Sequence, residues 1–397
     1  MKIGIDIRPL QAETRFRGIG KALENMLLRL PPLEEDSYVF YVDPLLPKPA
    51  SLKKIRHEVV YIKSSRLRRL KYIRVILAPF KEISPSNKEV GVLLQYDVNL
   101  GVPRTVPTVV LFHDAIPILF HEKEIVSEEI KNPLRSWKRK LGRKLQLRRY
   151  RRTLDLYARA SHVLAISESS MKDFLSHIPQ ARDVSIEVLH LGVAFEQISK
   201  PSQPALFEKK GTKYLLYVGG IDVRKNVTGL LMTYFEVKKG YPELKLVLVG
   251  KEFGLKKQLE ALGWNKIIAK NQHYKNDVIY TGFITDNELA WLYQNAAAFV
   301  FPSRYEGFGL PVLEAMQAGC PVIAYDNSSI PEVVGNAALL VPDGESMAPA
   351  ISKLLEDERL RNQLIAKGHK QARKFTWEKT ARETLRVLMS VGGRVNE

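Results

Sequence analysis

AAFVFPSRYEGFGLPVLEAMQAG, residues Ala297 to Gly319, passes from an apolar run through a glycine-rich turn into a helical pattern. The run AAFVFPS predicts a strand. Gly307 and Gly309 free the backbone and Pro311 suits the first helical position, so Leu310 to Ala318 reads as a helix ended by Gly319. Two acids lie in this stretch. Glu306 falls in the strand-to-helix turn, and Glu314 about one turn into the helix, among Leu310, Val312, Leu313, Ala315 and Met316, where partial burial demands a partner. Compensation of the helix dipole accounts for an acid such as Glu314 near a helix start. It does not account for Glu306 beside two glycines, which together offer a carboxylate and bare amides to a polyhydroxylated ligand.

The same alternation of short apolar runs and helical stretches extends through the chain, the signature of βα units around a parallel sheet. In the first half the candidate strands are KIGIDI (from Lys2), SYVFYV (from Ser37), EVVYI (from Glu58), VGVLLQ (from Val90), TVVLF (from Thr108), HVLAI (from His162) and SIEVL (from Ser185). Helical candidates between them include Ile19 to Leu30, Ser127 to Ala160 and Ser167 to Ser176. From Ala194 to Thr212 the pattern lapses into a polar stretch with Pro201 and Pro204, which reads as a linker. A second series follows: YLLYVG (from Tyr214), LKLVLVG (from Leu244), VIYTG (from Val278), AAFVFPS, PVIAYD (from Pro321) and ALLV (from Ala338). Thr285 and Glu288 form a capping box before Leu289, Leu292 and Tyr293. At 397 residues the chain exceeds the usual one-domain size of about 100 to 200 residues. Two doubly wound α/β domains in tandem are therefore expected, with ligands beyond the carboxyl ends of the strands, in the cleft between facing domains.

The formal net charge of +18 is the outlier in an otherwise ordinary globular composition and favours an anionic partner. The lone Cys320 closes no internal disulfide and suits a reducing compartment. MKIGIDIRPL, interrupted by Asp6 and Arg8, is no signal-peptide core, and no apolar run approaches the roughly 18 residues of a spanning helix. A cytosolic protein able to touch a membrane is the expectation.

Other turns at strand ends carry candidate chemistry. RFRGIG, Arg15 to Gly20, has Leu23 where a dinucleotide fingerprint needs its third glycine, so NAD binding is rejected. What remains is either a plain βα turn or a loop whose glycines let amides approach an oxyanion ahead of a helix. YVGGIDVRKNVTGLL, from Tyr217, places Gly219, Gly220, Arg224, Lys225 and Asn226 before an apolar-periodic helix. Two cations at a helix start oppose its dipole unless an anion is shared there, and a diphosphate fits, gripped by Arg224 and Lys225. The alternative is a solvated basic turn. His113 and Asp114 follow TVVLF; a lone His in such a place is more often structural. Ser167 reads as a helix N-cap rather than a nucleophile. With no Asp-x-Asp pair and no His or Cys cluster at ligand spacing, no bound metal is expected.

Together these residues resemble the retaining glycosyltransferases of GT-B architecture, in the large group that includes bacterial mannosyltransferases. The resemblance covers nearly the whole chain. Its most specific element is the Glu-x7-Glu pattern, Glu306 and Glu314 in EGFGLPVLEAMQAG, with PVIAY following and then Pro331 and Glu332. The resemblance implies two Rossmann-like domains facing a central cleft. Residues 1–200, joined by a C-terminal helix from about 376 to 397 that crosses back, bind the acceptor, and residues 201–375 bind the nucleotide sugar. It implies that Glu306 contacts the donor sugar and Glu314 holds the ribose hydroxyls. Phe308, Gly309 and Leu310 present amides to sugar and phosphates. Arg224 and Lys225, after Gly219 and Gly220, neutralise the diphosphate; Gly18 closes over it; His113 lies near the sugar. GIDIRPL with RGIG, HDAIP and VRKN looks most like GDP-mannose-using enzymes of bacterial polysaccharide assembly, although Gly250 to Lys256 and Thr281 to Ile284, the expected base-binding region, hold no residue that separates guanine from uracil. Arg17 stands before Gly18 where many relatives have glycine. No cofactor beyond the donor is implied.

NPLRSWKRKLGRKLQLRRYRR, Asn132 to Arg152, is dense in cations and free of acids, with Trp137, Leu141, Leu145 and Tyr150 interleaved; RLRRLKYIR from Arg66 is a second cluster. Such a stripe fits an anionic membrane surface, at about 1 kcal/mol per cation near the bilayer, or a solvated helix packed on its own domain. Membrane contact through Arg135 to Arg152 is the expectation, since acceptors in this family are often lipid-linked, and it places the protein at the inner face of the cell membrane. A nucleic-acid-binding protein also accounts for the charge but leaves Glu306 and Glu314 unexplained. A nucleotide-sugar epimerase shares the architecture and differs in releasing free nucleotide diphosphate without an acceptor product.

Overall fold

The computed structural model describes residues 1–11, 18–33, 37–44, 46, 47, 49, 52, 53, 55, 57–61, 90–96, 102, 103, 105–120, 142, 144, 145, 147, 148, 151, 155–194, 200–205, 207, 211–250, 253 and 264–393. It divides into two compact units: residues 1–117, 141–192 and 376–397 form the first, and 118–140 with 193–375 the second.

Among the described residues the first unit holds seven strands: β1 (Lys2–Asp6), β2 (Tyr38–Val42), β3 (His57–Tyr61), β4 (Val90–Gln95), β5 (Thr108–Phe112), β6 (His162–Ala165) and β7 (Ser185–Val188). They lie in the order β3-β2-β1-β4-β5-β6-β7, and every pairing is parallel. The second unit holds β8 (Tyr214–Val218), β9 (Lys245–Val249), β10 (Val278–Gly282), β11 (Ala298–Phe301), β12 (Val322–Tyr325) and β13 (Ala338–Val341), in the parallel order β10-β9-β8-β11-β12-β13. All thirteen strands fall where the apolar runs place them. Because parallel strands are covered on both faces, these runs need no polar alternation, and β2, β5, β6, β11 and β12 are buried throughout.

In each sheet the order reverses once, between β1 and β4 and between β8 and β11. At such a switch point two strands distant in sequence lie side by side, and their following loops diverge to leave a crevice at the carboxyl edge. The loop after β8 and the loop after β11 are thereby neighbours, although about 80 residues separate them.

The helix Trp377–Gly393 packs on the first unit. Its buried residues Trp377, Thr380, Ala381, Thr384, Val387, Leu388 and Val391 recur at helical spacing and form one apolar face. Thr380 Oγ1 donates to the His190 carbonyl at 2.9 Å, and the Arg29 guanidinium meets Glu378 at 2.7 Å. The expected linker is less open than its polar sequence implies. Phe207 is buried, its ring centroid 5.1 Å from Tyr214 and 5.5 Å from Trp291, so apolar contact holds that part of the segment against the second unit.

Gly192 sets the closeness of this helix. A Cβ there would stand 2.2 Å from the Trp377 amide nitrogen and 2.5 Å from the Thr376 carbonyl carbon, both backbone atoms that cannot swing away. Gly192→Ala is expected to destabilise by about 1–3 kcal/mol, as overpacking does. Chemical denaturation checks this; a midpoint equal to that of the unmodified chain would mean the helix is free to shift.

Candidate active site

At the switch point of the second unit, β8 ends at Val218. Gly219 donates its N–H to the Val249 carbonyl at 3.0 Å, while the Tyr217 hydroxyl donates to the Gly220 carbonyl at 2.7 Å. A 3-10 turn, Val223–Lys225, carries both cations, and Asn226 follows as the cap of the helix Val227–Lys238. Asn226 has φ +52, a left-handed conformation that costs about 1–2 kcal/mol for a non-glycine residue. Its side chain is held at both ends: Nδ2 donates to the Tyr325 hydroxyl at 3.0 Å, and Arg304 Nη2 donates to Oδ1 at 3.2 Å. The left-handed cap reverses the chain between the cations and the helix axis.

The neighbouring loop begins after β11. Arg304 N–H donates to the Arg224 carbonyl at 2.7 Å, and Arg224 Nη1 donates to the Tyr305 carbonyl at 3.1 Å, lacing the two loops together. Glu306 is buried between them. Lys225 Nζ lies 2.6 Å and Arg224 Nη1 3.0 Å from its Oε1, and the Ser303 hydroxyl donates to the same oxygen. Burial alone pushes the Glu306 carboxyl up, but the Lys225 and Arg224 charges and the hydrogen bonds from Lys225 and Ser303 outweigh it and hold the group below the ordinary carboxylate range. Lys225 is drawn down first by burial and then by Arg224, against the pull of Glu306. Its Nζ also stands 5.0 Å over the Phe301 ring. Two cations thus share one buried carboxylate, while a second acid, Asp222, stands exposed with its Oδ2 3.9 Å from Arg224 Nη2.

Downstream, Gly309 takes φ +105 and ψ 41 and caps the helix Leu310–Gln317, with Pro311 as its second residue. A side chain at Gly309 would be strained by that φ, and its Cβ would stand 2.8 Å from Ile330 Cδ1. Phe308 turns its ring inward against Phe375, the centroids 5.9 Å apart. The anchored ring fixes the backbone whose amides were expected to serve a ligand. Glu314 is half-buried, and the partner demanded by its apolar neighbours is Tyr293, whose hydroxyl donates to Oε2 at 3.2 Å. Burial and the nearby Glu314 charge drive the Tyr293 phenol well above its ordinary value, so it remains a donor.

The structure therefore brings Arg224, Lys225 and Glu306 into contact and sets Gly219, Gly220, Phe308, Gly309, Leu310 and Glu314 on the loops and helix around them. His113 and Gly18 belong to the first unit. His113 Nε2 lies 3.1 Å from the Tyr96 carbonyl, and the Ser170 hydroxyl donates to the His113 carbonyl at 2.7 Å. Gly18 opens the helix Gly18–Leu27, and a Cβ there would meet nothing within 4 Å. Ser167 caps the helix Glu168–His177 by accepting from the Ser170 N–H, and Thr285 with Glu288 forms the capping box. Arg15 to Arg17, the cluster from Arg66 and residues 132–141 lie outside the described residues. Sequence reading missed the pairing of Glu306 with both cations. It also missed Ser303, Ser328 and Ser329, which bond to Glu306; NSSIP after β12 was the available signal.

The family model for glycosyl transferases group 1 matches residues 199–371. The O-antigen chain mannosyltransferase B of Escherichia coli is 36% identical over 178 residues, 43% of this chain and 44% of that protein. The serotype-specific mannosyltransferase WbdA of the same species is 31% identical over 288 residues, 69% of this chain and 32% of that protein. The chain thus spans less than half the length of these relatives. Among solved structures, Anabaena HepE in complex with UDP and glucose covers 98% of this chain and all of its own, with TM-score 0.66 and 18% identity. WaaG, a glycosyltransferase involved in lipopolysaccharide biosynthesis, covers 98% and 99%, with TM-score 0.59 and 15% identity. The fold class so defined is GT-B, two parallel-sheet α/β domains in one chain. The match to the glycosyl transferases group 1 model falls within the second unit.

The ion cluster makes stability depend on pH in one direction. Glu306 titrates below its ordinary 4.5 in the folded chain, so its stabilisation is complete above that value and is lost as pH falls below it. Glu306→Gln strands the buried cations and is expected to cost about 3 kcal/mol at neutral pH, the scale for breaking a buried pair. Thermal melts from pH 7 to pH 3 should show this deficit shrinking at the acid end; a deficit constant across the range would show that the carboxylate charge does not carry it.

Proposed function

We propose that this chain is a retaining glycosyltransferase that moves mannose from GDP-mannose to a glycan acceptor, lipid-linked in the cell, in the building of cell-surface polysaccharide. The observation that carries the reading is the convergence of Arg224, Lys225 and Glu306 at the carboxyl edge of a doubly wound sheet. Cleavage of the bond between anomeric carbon and phosphate leaves a diphosphate whose growing charge needs fixed positive partners. Arg224 and Lys225 supply them without reorganising, and on this reading they do the neutralising work without a metal. The sugar becomes oxocarbenium-like. Glu306, ionised and engaged on Oε1 by three donors, is a weak base; it positions the sugar, while the departing phosphate takes the acceptor proton on the same face. Glu314 holds the ribose hydroxyls, with Tyr293 setting its carboxylate.

GDP-mannose is favoured by GIDIRPL, HDAIP and VRKN and by two mannosyltransferase relatives; a UDP-sugar is the second reading, favoured by the UDP and glucose bound to HepE. Thermal shift against a panel of nucleotides and sugar nucleotides separates them. A ligand at a hundred times its Kd stabilises by about 2.7 kcal/mol. GDP or GDP-mannose should shift the midpoint more than the UDP and ADP counterparts, and Glu314→Ala should remove most of that gain. Equal shifts for all nucleotides would remove the donor assignment.

The same proposal places the protein against the inner face of the cell membrane. Among described residues no helix is long and apolar enough to cross a bilayer. Of the basic segment, Lys144, Arg148 and Arg151 are exposed beside Leu145, itself 45% exposed, as a membrane-facing helix requires. Anionic liposomes should capture the protein at low salt and release it at high salt. Recovery wholly in the supernatant would sink this placement.

A further inference from the structure

Three consecutive residues after β12 each bond to the loop after β11. Asn327 Nδ2 donates to the Ser303 carbonyl at 3.1 Å. Ser328 Oγ accepts from the Glu306 N–H at 3.0 Å and donates to Asn327 Oδ1 at 3.0 Å. The Ser329 hydroxyl, fully buried, is shared between the carbonyl oxygens of Glu306 at 3.0 Å and Phe308 at 2.8 Å. The loop holding Glu306 is therefore gripped through its amide, through two of its carbonyls and, by way of Ser303, through the carboxylate itself.

The consequence follows from peptide geometry. A planar trans peptide holds each carbonyl antiparallel to the next N–H. Drawing the Phe308 carbonyl towards Ser329 turns the Gly309 N–H to the opposite side, at the residue whose φ of +105 opens the helix. Fixing the Glu306 amide on Ser328 sets the Cα from which its carboxylate reaches Lys225 and Arg224. Neither effect is available to the carboxylate or the amide alone.

Ser328 has φ +47, a conformation that glycine adopts without strain. What serine adds over glycine at that position is a hydroxyl, and the hydroxyl is spent on Glu306 and Asn327. We propose that Ser328 and Ser329 are positioning residues of the donor site, which touch no ligand themselves and set the direction of the Gly309 amide and of the Glu306 carboxylate. This rests on the reading of the cluster as a nucleotide-sugar site.

The test compares Ser328→Gly and Ser329→Ala with the unmodified chain by thermal midpoint, by calorimetric titration of GDP and UDP, and by steady-state transfer from GDP-mannose and UDP-glucose. Ser328→Gly is expected to keep or raise the midpoint and yet lower kcat by about tenfold with a smaller change in KM, the loss of roughly one hydrogen bond in the transition state. Ser329→Ala should lower both the midpoint and kcat, the latter by about tenfold or more. A purely structural role makes kcat follow the midpoint, so a Ser328→Gly chain with full stability and unchanged kcat overturns the inference. Transfer by the unmodified chain together with that result leaves the reading of the site standing. Absence of both nucleotide binding and transfer in the unmodified chain overturns the two together.

Discussion

One carboxylate oxygen, Glu306 Oε1, receives Lys225, Arg224 and Ser303 in a buried setting, and the second unit is organised around that meeting. Three donors on one acceptor make a rigid node, since moving any of them exposes a buried charge. The arithmetic of charge then matters more than the number of bonds. Two cations meet one buried anion, and the second acid within reach, Asp222, is exposed and 3.9 Å from Arg224, so the buried end of the node is held tightly and its rim loosely. A neutralised pair would be a structural rivet with little use for a phosphate, whereas separated cations would repel each other out of the crevice before any ligand arrived. The observed composition is held together at its buried carboxylate and leaves its second acid, Asp222, at the solvent edge.

Sheet topology is what makes the node possible. Arg224 and Lys225 end the excursion after β8, Glu306 the one after β11, and Asn327 to Ser329 the one after β12; β8, β11 and β12 are consecutive in the sheet. Carboxyl ends of parallel strands all open on one edge, so three short loops converge there without any long connection. Lacing between loops then replaces the rigidity they lack individually. Arg304 N–H on the Arg224 carbonyl and Asn327 on the Ser303 carbonyl are main-chain restraints of this kind, and neither depends on a charged side chain that a ligand might recruit.

The strands were legible because parallel sheets bury both faces and so write themselves as short apolar runs, and VGVLLQ or HVLAI admit little else. Thr285 with Glu288 and Ser167 were legible because caps are local, satisfied within three or four residues. Glu314 showed its need for a partner through Leu313, Ala315 and Met316, though not that Tyr293 would supply it. The Glu306 pairing was not legible. Its partner Lys225 lies 81 residues away, and VRKN read alone shows cations opposing a helix dipole without showing which anion they meet. The burial of Phe207 was not legible, because one aromatic side chain among prolines and polar residues makes no periodic pattern. Ser328 and Ser329 looked like loop filler, since a hydroxyl bonded to backbone leaves no periodic trace.

Strain marks the same place by a separate route. Among the described residues, the non-glycine positions with positive φ are Asn226 and Ser328. Asn226 directly follows Lys225, and Ser328 accepts from the Glu306 amide, so both outliers are within one residue or one hydrogen bond of the node. Each such residue costs about 1–2 kcal/mol that the surrounding structure must overcome. Glycine at either position would relieve the cost, and loops with nothing to hold tend to take that relief. Here each strained residue instead uses its side chain to fix a neighbour: Asn226 bonds Tyr325 and Arg304, and Ser328 bonds Glu306 and Asn327. Stability given up in the backbone reappears as fixed direction in the groups facing the crevice, as expected if the node works by holding charge in place while a ligand's own charge changes.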